Sequence, residues 1–245
     1  GYRAIELRSR LGTKIEICTL FVHIQIDQIA LDTRSFGRPL DEVAVAQDSA
    51  GGLRTPAVLT KLWEELRSRE SEGLTSEGIF RLSAPADEVA TLKQALESGT
   101  EREVLPSASS QALAALIKLY LRELPDDVWR GVRDGLPKLI EDTQQAADDS
   151  KSAKELHDAM QTLVSSLEPL HAELVVWVCE VMKTVVAREA DNKMGVVAAA
   201  TVFAPGLVHT PDDLSDPMSL VLWSERGVQL TTMLLRAHMF TRLRA

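Results

Sequence analysis

From about Thr55 onward the apolar positions recur with helical spacing almost everywhere along the chain. In "TPAVLTKLWEELRSRE" the residues Val58, Leu59, Leu62, Trp63 and Leu66 share one face, with Thr55 expected as N-cap and Pro56 in a first turn that tolerates it. The pattern returns in "APADEVATLKQALES" (Val89, Leu92, Leu96) and in "SSQALAALIKLYLREL" (Leu113, Leu116, Ile117, Tyr120, Leu121). It returns again in "VWRGVRDGLPKLIED" (Val128, Val132, Leu136, Ile140), where Pro137 is expected to kink or split a helix, and in "KELHDAMQTLVSSL" (Leu156, Met160, Leu163, Leu167). "EPLHAELVVWVCEVMKTVVARE" is apolar on most of its circumference and so belongs at the centre of a bundle. "NKMGVVAAATVFAPGLV" predicts a short, Ala-rich helix that stops before Pro205. A last helix carries Leu220, Leu222, Val228, Met233 and Leu234.

The N-terminal part reads differently. In "LFVHIQID", Leu20, Val22, Ile24 and Ile26 alternate with Phe21, His23, Gln25 and Asp27, which is strand spacing. A single strand needs a partner, so it is either a hairpin docked on the helices or part of a neighbouring domain. "DSAGGLR" reads as the loop into the helical body, and "QQAADDSKSAKE" as a polar loop between helices.

Composition narrows the picture. The chain has 245 residues, 45% hydrophobic and 26% charged, which is the balance of a soluble globular protein with room for a sizeable core. A net charge of -9 and no dense Lys/Arg run exclude a broad nucleic-acid footprint, which needs clustered positive charge. The apolar run "ICTLFV" falls well short of the roughly 18 residues that span a bilayer, so no membrane insertion is expected. Cys18 and Cys179 stand far apart in apolar surroundings and are expected to be reduced core thiols. The start, "GYRAIELRSR", has neither an initiating Met nor a signal-peptide layout and reads as that of an excised fragment, with the cytosol as expected compartment.

Catalytic constellations are missing. The five histidines, His23, His157, His171, His209 and His238, show no metal-ligand spacing. "AGGLRTP" lacks the lysine of a phosphate-binding loop, and no Gly-x-Ser-x-Gly elbow occurs. A self-contained enzyme is not expected, and no metal site is expected.

One short stretch stands apart. In "SEGIFRLSA", Gly78 permits a tight turn, Ile79 and Phe80 can lock the segment into the core, and Ser83 with Pro85 looks like the opening of the next helix. Arg81 then lies on a loop fixed at both ends, either as a solvated side chain or as a presented cation. In "IKLYLRELP", Lys118 and Arg122 are one helical turn apart and repel unless something anionic or a carbonyl lies opposite. They form an exposed basic edge or a site, with Glu123 placed to pair with either.

Three motifs in order, "EGIFRLSA", "ALAALIKLYLRELP" and "DNKM…VFAPGLV", resemble the Rho-family GTPase-activating domain, or RhoGAP domain. The resemblance runs from "FGRPL" through the final helix, and the "VFAP" form is similar to that of plant-type Rop GTPase activators. It implies an all-α, RhoGAP-like bundle of about seven to nine helices over residues 36–245. Residues 1–35 are left as an N-terminal extension that holds the short β segment. It further implies a Rho- or Rop-family small GTPase as partner, a monomeric domain, and no cofactor of its own, since GTP and Mg²⁺ are held by the GTPase. Membrane recruitment would come through that GTPase.

The same resemblance assigns roles. Arg81 becomes the arginine finger, with Gly78 and Phe80 shaping its loop and Arg122 bracing the loop by hydrogen bonds. Lys118, Asn192 and Lys193 fall at the GTPase contact. Two further positions of that GTPase contact depart from the family: Ala198 and Gly206 stand where relatives carry asparagines. Losing one such hydrogen bond is worth about 0.5 to 1.5 kcal/mol, so activation is expected to be reduced but not abolished.

Overall fold

The structure is a computed structural model; it describes residues 34–47, 52–69, 72–125, 128–129, 131–138, 140–141, 153–211 and 214–245, which belong to one compact unit, Thr33–Ala245. The strand expected over 20–27, and with it Cys18 and His23, lies outside the described residues.

Two short strands, β1 (Val45–Gln47) and β2 (Arg54–Pro56), pair antiparallel in the register Val45↔Pro56, Ala46↔Thr55 and Gln47↔Arg54. The α-helices that follow include α1 (Ala57–Ser68), α2 (Ala86–Ser98), α3 (Glu101–Val104), α4 (Ser110–Arg122), α5 (Ala153–Ser165), α6 (Pro169–Val186), α7 (Glu189–Asn192), α8 (Val196–Leu207) and α9 (Pro217–Phe240), with further helical backbone at 136–138 and 140–141. The all-helical class follows from the sequence pattern.

The apolar stripe of α1 is the one its spacing predicts, with Val58, Leu59, Leu62, Trp63 and Leu66 all buried. Burying each such side chain stabilises the fold by roughly 1.5 to 3 kcal/mol. Helix α6 is the central strut: Leu174 through Cys179 are wholly buried, and Trp177 meets Trp63 of α1 edge-on at 6.4 Å. Cys179 is a buried free thiol whose pKa burial pushes far up, so it is inert at neutral pH. Arg54 of β2 is tied to Glu173 of α6 through a 2.6 Å ion pair, which fixes the hairpin to the strut.

Several local expectations are corrected. Thr55 is not the N-cap of α1: it lies in β2, wholly buried, with its hydroxyl 2.8 Å from that of Thr60, and Pro56 occupies the cap position. The capping signal was a strand end three residues long. Ser83 likewise does not open α2, whose N-cap is Pro85. The helix expected from Val128 is broken by Gly131 at φ +84° and a 3-10 turn at Arg133–Gly135, and helical backbone begins at Leu136, just before Pro137. The expected loop "QQAADDSKSAKE" ends inside α5, which already begins at Ala153.

Helix α8 runs through Pro205 to Leu207 instead of stopping before it. A proline in the last turn forfeits one backbone bond, and the packing of this helix on α4 and α9 outweighs that loss. In α9 the buried side lies in the second half, at Leu230, Leu234 and Leu235, whereas Leu220 and Leu222 are exposed.

Candidate functional site

The loop between α1 and α2 carries "GIFR". Gly78 adopts φ +69°, and a Cβ there would lie 2.8 Å from Leu82 Cγ, so the position admits little but glycine. Phe80, wholly buried, also has a positive φ, +66°, which a bulky residue rarely adopts and which costs about 1 to 3 kcal/mol. Its surroundings hold it there. The Phe80 ring packs on Phe203 of α8 with centroids 4.9 Å apart, and its carbonyl accepts a hydrogen bond from Lys118 Nζ of α4.

The backbone around the arginine is tight. The Arg81 and Leu82 amides both donate to Gly78 O at 2.8 Å, and Ile79 N donates to Ser76 O at 3.1 Å. With the anchor at Ile79 and Phe80 buried on one side, the Arg81 side chain is left on the other, exposed. Among the described residues its guanidinium makes no hydrogen bond or ion pair with the rest of the fold.

The base of this loop is clamped from a distant part of the chain. Asn192 ends α7 with no solvent exposure, and its backbone carbonyl accepts from Gly78 N at 2.8 Å. Its Nδ2 donates to Leu74 O and to Val185 O, and its Oδ1 accepts from Met194 N, all at 2.8 Å. One amide thus joins the start of the finger loop, the end of α6 and the approach to α8. The resemblance put Asn192 at the partner contact; a side chain wholly buried and fully bonded cannot reach a docked surface, and its place is inside the scaffold. Nothing in the sequence signals this, because Leu74 lies 118 residues earlier.

Lys193, the next residue, is exposed at φ +60° with its amine on Ala190 O at 2.6 Å. Ala198 is half-buried on α8, beside exposed Val197. Gly206 is buried, and a Cβ there would fall 2.7 Å from Leu121 Cβ, so α8 can approach α4 only because this residue lacks a side chain. A small open pocket lies between Lys118 and Arg122 of α4 and Val202, Pro205 and Gly206 of α8.

The basic pair on α4 divides its labour in an unexpected way. Lys118, half-buried, reaches the loop carbonyl, and burial together with the nearby Arg122 charge pushes its amine below the ordinary lysine range. Arg122 is exposed and, among the described residues, makes no hydrogen bond or ion pair. The Phe80 carbonyl is thus met by Lys118, and not by the Arg122 to which the resemblance assigned the brace. Glu123 pairs with neither: both its oxygens take Lys93 of α2, at 2.6 and 2.8 Å. The end of α4 is fixed by His209, whose Nε2 donates to Leu121 O at 2.9 Å.

A helical body that buries Gly78, Ile79 and Phe80 and leaves the next residue, Arg81, exposed holds a cation on an anchored loop. Residues 56–212 match the model of the RhoGAP domain, and the chain belongs to that family. Mouse Rho GTPase-activating protein 22 is 29% identical over 208 residues, covering 83% of this chain and 28% of that protein. Rho GTPase-activating protein 2 of Arabidopsis thaliana is 30% identical over 186 residues, covering 76% of this chain and 39% of that protein. The chain thus spans well under half the length of these curated relatives. Among solved structures, human Rho GTPase activating protein 15 superposes with a TM-score of 0.65 at 16% identity, over 88% of this chain and 94% of that one, a likeness of fold. Among the described residues no helix is long and apolar enough to cross a membrane.

Proposed function

We propose that this chain stimulates GTP hydrolysis by a Rho-family small GTPase, including the plant Rop type, by inserting Arg81 in trans. The functional domain is residues 36–245, acting as a monomer. The observation that carries the reading is the contrast within four residues: Gly78 through Phe80 are buried and clamped, while Arg81 is exposed and its guanidinium has no hydrogen-bond or ion-pair partner among the described residues. Phosphoryl transfer spreads negative charge over the γ-phosphate oxygens and the bridging oxygen. A guanidinium held ready by a rigid loop meets that charge without reorganising.

Such a finger is typically worth ~10³ to 10⁵ in rate, about 4 to 7 kcal/mol of barrier. Exposed Arg122 and Lys193 add positive charge on a chain that is otherwise acidic, and so favour an anionic partner surface. The GTPase supplies nucleotide, Mg²⁺ and the attacking water. A lipidated GTPase would also bring the domain to a membrane surface, and the cytoplasm is the compartment in which the two would meet.

A second reading has its own observation. Ala198 offers no side-chain amide where the family carries one, so the domain could bind a GTPase while accelerating it little. A transition-state mimic separates the two. An activator binds the GDP–aluminium fluoride form of the GTPase at least about a hundredfold more tightly than the GTP form. A plain binding module would hold both forms equally, and that result would replace the first reading with the second.

A further inference from the structure

We infer that Lys118 is the positioning residue of the finger loop and that Arg122 is a docking cation, an exchange of the roles that the family resemblance assigns to them. The inference rests on the reading of Arg81 as a finger. It stands on three features of the α4 face. Lys118 Nζ donates to Phe80 O, the carbonyl immediately before Arg81 and one that a positive φ of +66° has turned out of the usual course of the chain. Lys118 is half-buried, so its charge is available to that carbonyl and poorly available to a partner. Arg122, one turn further along, is exposed and without a bond to the rest of the described fold.

Gly206 gives a reason for the exchange. It lets α8 close onto Leu121 while leaving an open pocket beside Lys118 and Arg122. No side chain from position 206 competes for the Arg122 guanidinium or directs it onto the loop. A planar, weakly hydrated guanidinium at the rim of a small pocket with an apolar floor suits a carboxylate or backbone carbonyl of a docked protein. A lysine amine, with three rotatable donors, suits the single buried carbonyl it already holds.

The two residues should therefore fail in different ways. Single-turnover GTP hydrolysis by a Rho-family GTPase is measured against domain concentration for wild type, Lys118→Met, Lys118→Arg and Arg122→Met. Lys118→Met is expected to lower the saturating rate about tenfold or more, the loss of one hydrogen bond from a charged donor, with little change in the half-saturating concentration. Lys118→Arg, which keeps charge and donors on α4, should recover part of that rate and serves if the Met variant does not fold. Arg122→Met should raise the half-saturating concentration several-fold and leave the saturating rate unchanged.

Hydrogen exchange on the isolated domain tests the brace without any GTPase. Exchange at the Arg81 and Leu82 amides should quicken in Lys118→Met and stay as in wild type in Arg122→Met. Should Arg122→Met loosen the loop and Lys118→Met leave it protected, the assignment is overturned. Wild-type domain that accelerates no GTPase would instead sink the proposed function, with the exchange result still deciding which residue holds the loop.

Discussion

Replacing Asn192 by alanine should damage this fold more than any surface change near the site. The side chain is wholly buried and makes three hydrogen bonds of 2.8 Å, to Leu74 O, Val185 O and Met194 N. Alanine takes the side-chain partner from Leu74 O and Met194 N and leaves a void, while Val185 O keeps its bond from Arg188 N. At about 1 kcal/mol net per bond, and up to about 3 for a group left unsatisfied, the expected loss is about 3 to 5 kcal/mol. A domain of this kind is stable by only about 5 to 15 kcal/mol, so the variant should sit near the edge of folding. Its melting temperature should fall by roughly 6 to 20 °C, and its urea midpoint should fall with little change in slope. Exchange at the Gly78 amide, which donates to Asn192 O, should quicken before global unfolding does. Asn192→Asp is the shape-matched control: it keeps the acceptor for Met194 N but turns a carboxylate toward two carbonyls, and should be at least as unstable at neutral pH. A loss below about 1 kcal/mol in both variants, with Gly78 exchange unchanged, would refute the clamp.

The two departures from the family pattern should respond oppositely to repair. Gly206→Asn drives a Cβ to within 2.7 Å of Leu121 Cβ and should cost about 1 to 3 kcal/mol in urea unfolding, whereas Ala198→Asn, on a half-exposed face, should fold normally and raise GTPase activation. Gly78→Ala must hold φ +69° against Leu82 and should lower both the melting temperature and activation. His238 is wholly buried with Nδ1 accepting from Leu243 N at 3.2 Å and Nε2 standing 3.1 Å from Glu180 Oε1; burial lowers its pKa, Glu180 pulls the other way, and Lys183 and Arg242 add to the lowering, which prevails. The unfolded chain then takes up the proton first as pH falls. Stability should hold above about pH 6.5 and decline below it, and His238→Gln should flatten that decline in melts run across the range.

Helices with a strong apolar stripe were legible because their periodicity reports burial directly, as in α1 and α6. What the sequence hid depends on contacts between distant parts of the chain. Strands of three residues, as at Arg54–Pro56, carry too little alternation to stand against a helical capping signal. Pro205 reads as a stop, yet α8 continues because Gly206 lets it pack on Leu121. At the site, the burial of Ile79 and Phe80 just before Arg81 was legible from the letters, which offer two large apolar residues as an anchor. The positions of Asn192 and Lys118 were not, since the groups they hold lie 118 and 38 residues away and are backbone carbonyls, which no side-chain motif records. The turned backbone of Phe80 is likewise invisible in the letters, because a bulky residue at positive φ exists only where tertiary packing forces it.

The account depends most on the Arg81 guanidinium entering another protein's nucleotide site. Single-turnover GTP hydrolysis by a purified Rho-family GTPase, with wild-type domain and with Arg81→Ala at saturating concentration, tests this directly. The substitution lies on the exposed side of the loop and should leave the melting temperature unchanged while lowering the rate at least about a hundredfold. Equal rates from the two domains would contradict the account.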